Sequence, residues 1–263
     1  MTRIIAVVNQ KGGVGKTTTT VNLATALAAI GKRTLIIDLD PQGNASTGLG
    51  IEQRQRGTSS YHVLIGAAKL QEAVLPTIIP NLSIVASNID LSAAEIELVT
   101  EESRECRLKK ALDAATIDFD YVLMDCPPSL GLVTMNALVA SQSVFIPLQC
   151  EFYALEGLSH LLKTVQLIQR RLNQKLDICG VVLTMYDKRN KLTEHIEADV
   201  RSFLKDTVFT TVIPRNVRLS EAPSHGKPAI VYDMACSGSQ AYIQLAKEMI
   251  KRESTRKTTS KVA

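Results

Sequence analysis

Apolar residues come in short unbroken runs along this chain, not in strict alternation. Runs of strand length occupy residues 4–8, 34–37, 82–86, 121–124, 144–148, 180–183 and 208–213. Most are β-branched and apolar on successive positions, the pattern of strands buried on both faces. Between them lie stretches with helical spacing. Over residues 155–172, Leu158, Leu161, Leu162, Val165, Ile168 and Leu172 share one face, while Lys163, Gln166, Gln169 and Arg170 share the other. Residues 17–30 and 104–115 also read as helices, with Gly31 capping the first. Strands alternating with helices predict a doubly wound α/β fold around a mostly parallel sheet.

The chain has 263 residues, 45% of them hydrophobic, enough to fill the core of one such domain. Neither an internal repeat nor an interdomain linker is visible. Residues 1–250 read as the domain. Residues 251–263 are polar, basic and rich in Ser and Thr, the composition of a disordered tail. The tail holds five basic side chains and one acidic one, so it carries the whole net charge of +4, and residues 1–250 sum to zero. A basic surface on the domain therefore has to come from clustering. The five cysteines form no C-x-x-C pair and read as reduced thiols of a cytosolic protein. No apolar stretch approaches the ~20 residues that span a bilayer.

The first run leads into Lys11-Gly-Gly-Val-Gly-Lys-Thr17, and a helical pattern follows. This is the setting of a phosphate loop. Gly12, Gly13 and Gly15 let the backbone curl so that N–H groups point at phosphate oxygens. Lys16 is placed to neutralise β- and γ-phosphates, and the Thr17 hydroxyl to ligate Mg²⁺. Gln10 stands where the usual G-x-x-x-x-G-K-[ST] pattern has its first glycine, and Lys11 adds a second positive charge.

Two further motifs are acidic. Asp38-Leu-Asp-Pro-Gln42 follows the second run and places carboxylates at i and i+2 at a strand end, where they can hold metal through water or position an attacking water. Tyr121-Val-Leu-Met-Asp125 is a buried strand closing on a carboxylate, suited to a Mg²⁺-bound water. Cys126, beside it, reads as a small buried residue. Ile213-Pro-Arg-Asn-Val-Arg218 follows the last run, at an edge where such sheets bind ligands. His225 has no partner in sequence and reads as a surface or structural histidine.

The loop resembles the deviant Walker A motif of the ParA/MinD group of ATPases, and the likeness covers nearly the whole chain. It is nearest to the small chromosomal ParA (Soj-type) partition proteins. The resemblance implies a P-loop ATPase of SIMIBI type that uses ATP and Mg²⁺. It implies nucleotide contacts from Lys11, Gly12, Gly13, Val14, Gly15, Lys16, Thr17 and Thr18, with Pro214 and Asn216 at the adenine. It assigns Lys11 to the partner subunit's nucleotide in an ATP-sandwich homodimer, Asp40 to the hydrolytic water, and Thr17, Asp38 and Asp125 to the metal shell. It also implies non-specific DNA binding through Arg189 and Arg218, with Lys188 and Lys191 nearby, and hydrolysis stimulated by a ParB-type partner. The expected location is the cytoplasm, on the nucleoid, without stable membrane insertion. A MinD-like reading needs a membrane-seeking C-terminal helix, whereas Tyr242, Leu245, Ala246 and Met249 read as a helix packed on the body. An iron–sulfur reductase of nitrogenase iron-protein type needs a cysteine pair that the spacing does not supply.

Overall fold

The computed structural model describes residues 2–116 and 118–259. Seven strands form one sheet in the order β3-β4-β2-β5-β1-β6-β7. They are β1 (Arg3–Val7), β2 (Thr34–Asp38), β3 (Val74–Pro76), β4 (Leu82–Val85), β5 (Tyr121–Asp125), β6 (Ser143–Gln149) and β7 (Asp177–Thr184). All pairings are parallel except that of β3 with β4. The helices are α1 (Lys16–Ala29), α2 (Asn44–Gly48), α3 (Ser60–Ile65), α4 (Leu70–Ala73), α5 (Leu91–Glu97), α6 (Arg107–Ala114), α7 (Leu132–Ala140), α8 (Ala154–Arg171), α9 (Lys191–Leu204), α10 (Val217–Glu221), α11 (Ala229–Tyr232) and α12 (Ser237–Thr259).

Helices cover both faces, as continuous apolar strands require. On one face Leu35, Ile37, Val122 and Met124 pack under α3 and α5 through α9. On the other, Ile5, Val7, Ile36 and Leu123 pack under α1, α2 and α10 through α12. The strand ends at Val7, Asp38 and Asp125 come together, because Val7 and Asp38 both pair with Asp125. The chain leaves β1 for β2 on one side and returns through β5 to β6 on the other. The loop after β1 therefore opens at a topological switch point.

Two sequence expectations change. Residues 208–213 form no strand; they meet β7 through the single bridge of Val181 with Val208 and through separate backbone bonds, Phe209 N donating to Val181 O and Ile213 N to Leu183 O, and Pro214 just beyond bridges to Tyr186. Glu248 of α12 is the reason. Its carboxylate accepts from the amides of Thr210 and Thr211, at 2.8 and 2.9 Å, and takes them out of any ladder. The second change is the tail. Residues 251–259 continue α12 instead of being disordered. Arg252 donates to the carbonyls of Asp206 and Val208 and stacks over the Phe209 ring. Glu253 accepts from Arg3 Nε and from the Tyr121 hydroxyl. Charges that read as solvated thus cap the sheet's lower end. Residues 260–263 of the expected tail lie outside the described residues. Strand β3 went unforeseen, since three half-exposed residues ending in Pro76 carry no periodic signal.

Candidate nucleotide site

The loop between β1 and α1 is fixed from three sides. The Asn9 side-chain amide donates to Pro147 O at 2.7 Å, and its oxygen accepts from Lys11 N at 3.0 Å. Thr184, at the end of β7, donates its hydroxyl to Val14 O at 2.8 Å. Gly15 caps α1 and accepts from Thr19 N at 2.9 Å. Gly13 and Gly15 adopt left-handed φ of 76° and 85°, which a side chain resists. Gly12 does not; a Cβ there would meet nothing within 4 Å. The expectation that all three glycines serve the curl holds for two.

The two loop lysines diverge. Lys16 is 7% exposed, and its ammonium donates to Lys11 O at 2.9 Å. Burial lowers its pKa, opposed by the charge of Asp125 and then of Asp40. Lys11 points outward instead, its ammonium 2.6 Å from Glu151 Oε1, with the side chain half exposed.

Asp38 and Asp125 end adjacent strands as register partners, and both are fully buried. Asp38 accepts from Ser46 N and Ser46 Oγ at 2.9 and 2.7 Å, and from Asp40 N at 3.2 Å. Burial raises its pKa against those hydrogen bonds. Burial raises Asp125 further, followed by the charge of Asp38, with the Thr17 and Thr20 hydroxyls opposing. Asp125 Oδ1 accepts from Thr20 Oγ1 at 3.1 Å; Oδ2 is buried with no hydrogen-bond partner among the described residues. A buried carboxylate oxygen left open beside a threonine hydroxyl and a second carboxylate suits a hard divalent cation. Thr17, Asp38 and Asp125 therefore fit a Mg²⁺ ion. Asp40 sits at the mouth, its Oδ1 accepting from Gln42 N at 3.0 Å.

Beside the loop lies a cavity of about 290 Å³ lined by Gly15, Thr18, Met185, Pro214, Asn216 and Tyr242. Its polar wall is preset. The Asn216 oxygen caps α10 by accepting from Arg218 N, and its amide donates to Ser237 Oγ at 2.9 Å. The candidate DNA arginines lie further out. Arg189, in the β7–α9 loop, is 87% exposed at its side chain and chelates Asp187 through Nε and Nη2 at 2.9 and 2.8 Å. That pair pulls the Asp187 pKa down to about 2. Arg218 is held by Glu221 at 2.8 Å and Asp233 at 3.5 Å. His225 stacks on Tyr232 at 4.9 Å, as a structural histidine would, and Cys126 is buried at 1% exposure.

Sequence reasoning missed Asn9, Thr20, Ser46, Arg56, Glu151 and Thr184. Each acts by holding another functional group, and an isolated hydroxyl or amide carries no motif. Among the described residues, no helix is long and apolar enough to cross a membrane.

A glycine loop on a helix N-terminus, two strand-end carboxylates and an adjoining cleft define a P-loop nucleotide hydrolase. Comparison narrows this class. The model of the AAA domain family matches residues 2–178. The chain is 55% identical over 256 residues to the chromosome partitioning protein ParA of Caulobacter vibrioides (strain NA1000 / CB15N), covering 97% of this chain and 96% of that one. It is 55% identical over 249 residues to the sporulation initiation inhibitor protein Soj of Bacillus subtilis (strain 168), covering 95% and 98%. A crystal structure of cobyrinic acid a,c-diamide synthase from Mycobacterium smegmatis, with bound ADP and magnesium, superposes with a TM-score of 0.84 at 35% identity, covering 97% and 96%. The chain belongs to this AAA-domain family and, within it, to the ParA/Soj group of chromosome-partitioning ATPases. It is an ATP hydrolase.

Proposed function

We propose that the chain segregates DNA by closing as an ATP-bridged homodimer, binding DNA without sequence preference, and releasing it when a ParB-type partner stimulates hydrolysis. The observation that carries this reading is the divergence of the two loop lysines. Lys16 turns inward to where one subunit's own phosphates would sit, while Lys11 faces outward, paired with Glu151, which it would exchange for a second subunit's nucleotide. A loop that closed on its own phosphates would not need that second charge.

Lys16 compensates β- and γ-phosphate charge, assisted by the amides of Gly13 through Thr18 at the start of α1. ATP and Mg²⁺ are the ligands; the metal, held by Thr17, Asp38 and Asp125, neutralises phosphate charge when bound. Pro214 and Asn216 border the adenine. Asp40 orients the attacking water. Arg189 and Arg218 contact DNA phosphates, and the dimer doubles each contact. Both arginines must then exchange an intrachain carboxylate for phosphate. A membrane-anchored reading is disfavoured, because the apolar face of α12 (Tyr242, Leu245, Ala246, Met249) is buried against the body.

The test is ATP turnover with DNA and a ParB-type partner, added separately and together. Synergy is the expected result. Indifference to DNA, with ATP-dependent flotation on anionic liposomes, would overturn the reading.

A further inference from the structure

We infer that Arg56 is a positioning residue for hydrolysis, clamping the turn that presents Asp40. Arg56 is 3% exposed, and its guanidinium carries no carboxylate partner within hydrogen-bond distance among the described residues. Its nitrogens go instead to backbone and one hydroxyl. Nε and Nη2 donate to Ile51 O at 3.1 and 2.7 Å, Nη2 to Thr47 Oγ1 at 2.9 Å, and Nη1 to Gly43 O at 3.4 Å and Ser87 O at 3.3 Å. A buried charge is costly, and an apolar side chain would fill the same space at no such cost. What the planar fork adds is direction, tying three separate segments at fixed angles.

Those segments frame Asp40. The turn begins at Asp38, whose Oδ1 accepts from Asp40 N, and closes where Gly43 N donates to Asp40 O at 2.9 Å. Each end is tied to the same residue beyond β4. At the start, Ser46 Oγ donates to Asp38 and accepts from Ser87 N at 3.1 Å. At the close, Arg56 joins Gly43 O to Ser87 O. The packing is tight. Gly43 is left-handed at φ 62°, and a Cβ there would run into Arg56 Nη1 and stand 2.9 Å from Ser87 O. None of the hydrogen bonds of Arg56 goes to the loop from Asn9 to Thr17. Its loss should therefore loosen Asp40 while leaving the phosphate grip alone.

The inference rests on the assignment of Asp40 to the attacking water. The test compares Arg56→Lys, which keeps charge but loses the fork, and Thr47→Val, which removes one hydroxyl of the clamp, each alone and combined with Asp40→Ala. Expected for Arg56→Lys is a fall in kcat of about ten-fold or more, with ATP affinity within about two-fold of the parent. Thr47→Val should fall in the same direction by less. Neither should lower the residual rate of Asp40→Ala further, because the group they position is gone. A parental kcat in both clamp variants, with Asp40→Ala inactive, overturns this inference alone. So does a loss of ATP affinity that matches the loss of rate, which would mark Arg56 as a general support of the fold. A parental rate in Asp40→Ala overturns the Asp40 assignment, and the role of Arg56 falls with it.

Discussion

Lys11 and Glu151 form an ion pair of 2.6 Å on the outer side of the phosphate loop. Both side chains are partly exposed. Such a pair contributes about 0–1 kcal/mol. Lys11→Ala should therefore shift Tm by no more than about 4 °C. ADP binding to the monomer should persist, while ATP-dependent self-association is lost. Light scattering with a non-hydrolysable ATP analogue checks this; a dimer at the parental concentration would exclude a role for Lys11 across the interface.

Lys16→Ala should remove ATP binding altogether. Its buried ammonium reaches into the loop, and without it the neighbouring carboxylates would face the phosphates uncompensated. Calorimetric titration with Mg²⁺-ATP is the measurement. Affinity within about ten-fold of the parent would contradict the assignment.

Asp38 and Asp125 make the nucleotide-free fold sensitive to rising pH. Both carboxyls titrate above their unfolded value, near 4, because burial disfavours charge, reinforced at Asp125 by the charges of Asp38 and Asp40 and at Asp38 by that of Asp40. The folded state thus binds protons more tightly than the unfolded chain. Their contribution to stability is present in full below about pH 4 and is lost as pH rises through the raised values. Thermal melts should show the parent losing stability relative to Asp125→Asn from mildly acid to mildly alkaline pH. Mg²⁺-ADP should shrink the difference, since a metal favours the ionised pair. Parallel Tm curves for parent and variant would refute the linkage.

Arg189→Glu should weaken DNA binding without disturbing ATP-dependent dimerisation. The substitution places a second carboxylate beside that of Asp187, where Arg189 now chelates. Two contacts vanish per dimer, so the slope of log K against log salt should flatten by about two. Gel shifts across a salt series read this directly; an unchanged slope would remove Arg189 from the DNA surface.

Ending the chain after Ile250 should destabilise the domain, although the segment looks dispensable in sequence. It would delete the bonds of Arg252 to Asp206 and Val208 and those of Glu253 to Arg3 and Tyr121. Partly exposed bonds of this kind contribute about 0.5–1 kcal/mol each, about 2–4 kcal/mol in all. A Tm drop of several degrees is expected by calorimetry, and an unaltered Tm would show that this last stretch of helix does not hold the sheet.

Much of this was legible in sequence because the signals were local. Continuous Val/Ile runs marked six of the seven strands, and glycines next to a strand marked the loop. Asp38 and Asp125 were visible as strand-end carboxylates, though not that pairing would set them side by side. What stayed hidden depends on long-range contacts. Glu248 reaches residues 210–211 from 37 and 38 positions away and cancels a strand that the apolar pattern supported. Arg252 and Glu253 read as tail charges because their partners, Val208 and Tyr121, lie far back in the chain. Arg56 gave no signal at all, since a lone arginine outside a motif reads as solvated surface.

The capture of Thr210 and Thr211 by Glu248 also bears on how strands of two copies could pair. β7 is an edge strand, and the segment beside it cannot extend the sheet. At the opposite edge β3 is three residues long and ends in a proline. Both margins are blunted against intermolecular strand addition, the route to aggregates and fibres. In the proposed homodimer, association would then fall to side chains and bound nucleotide, contacts that can be undone each time a phosphate is removed.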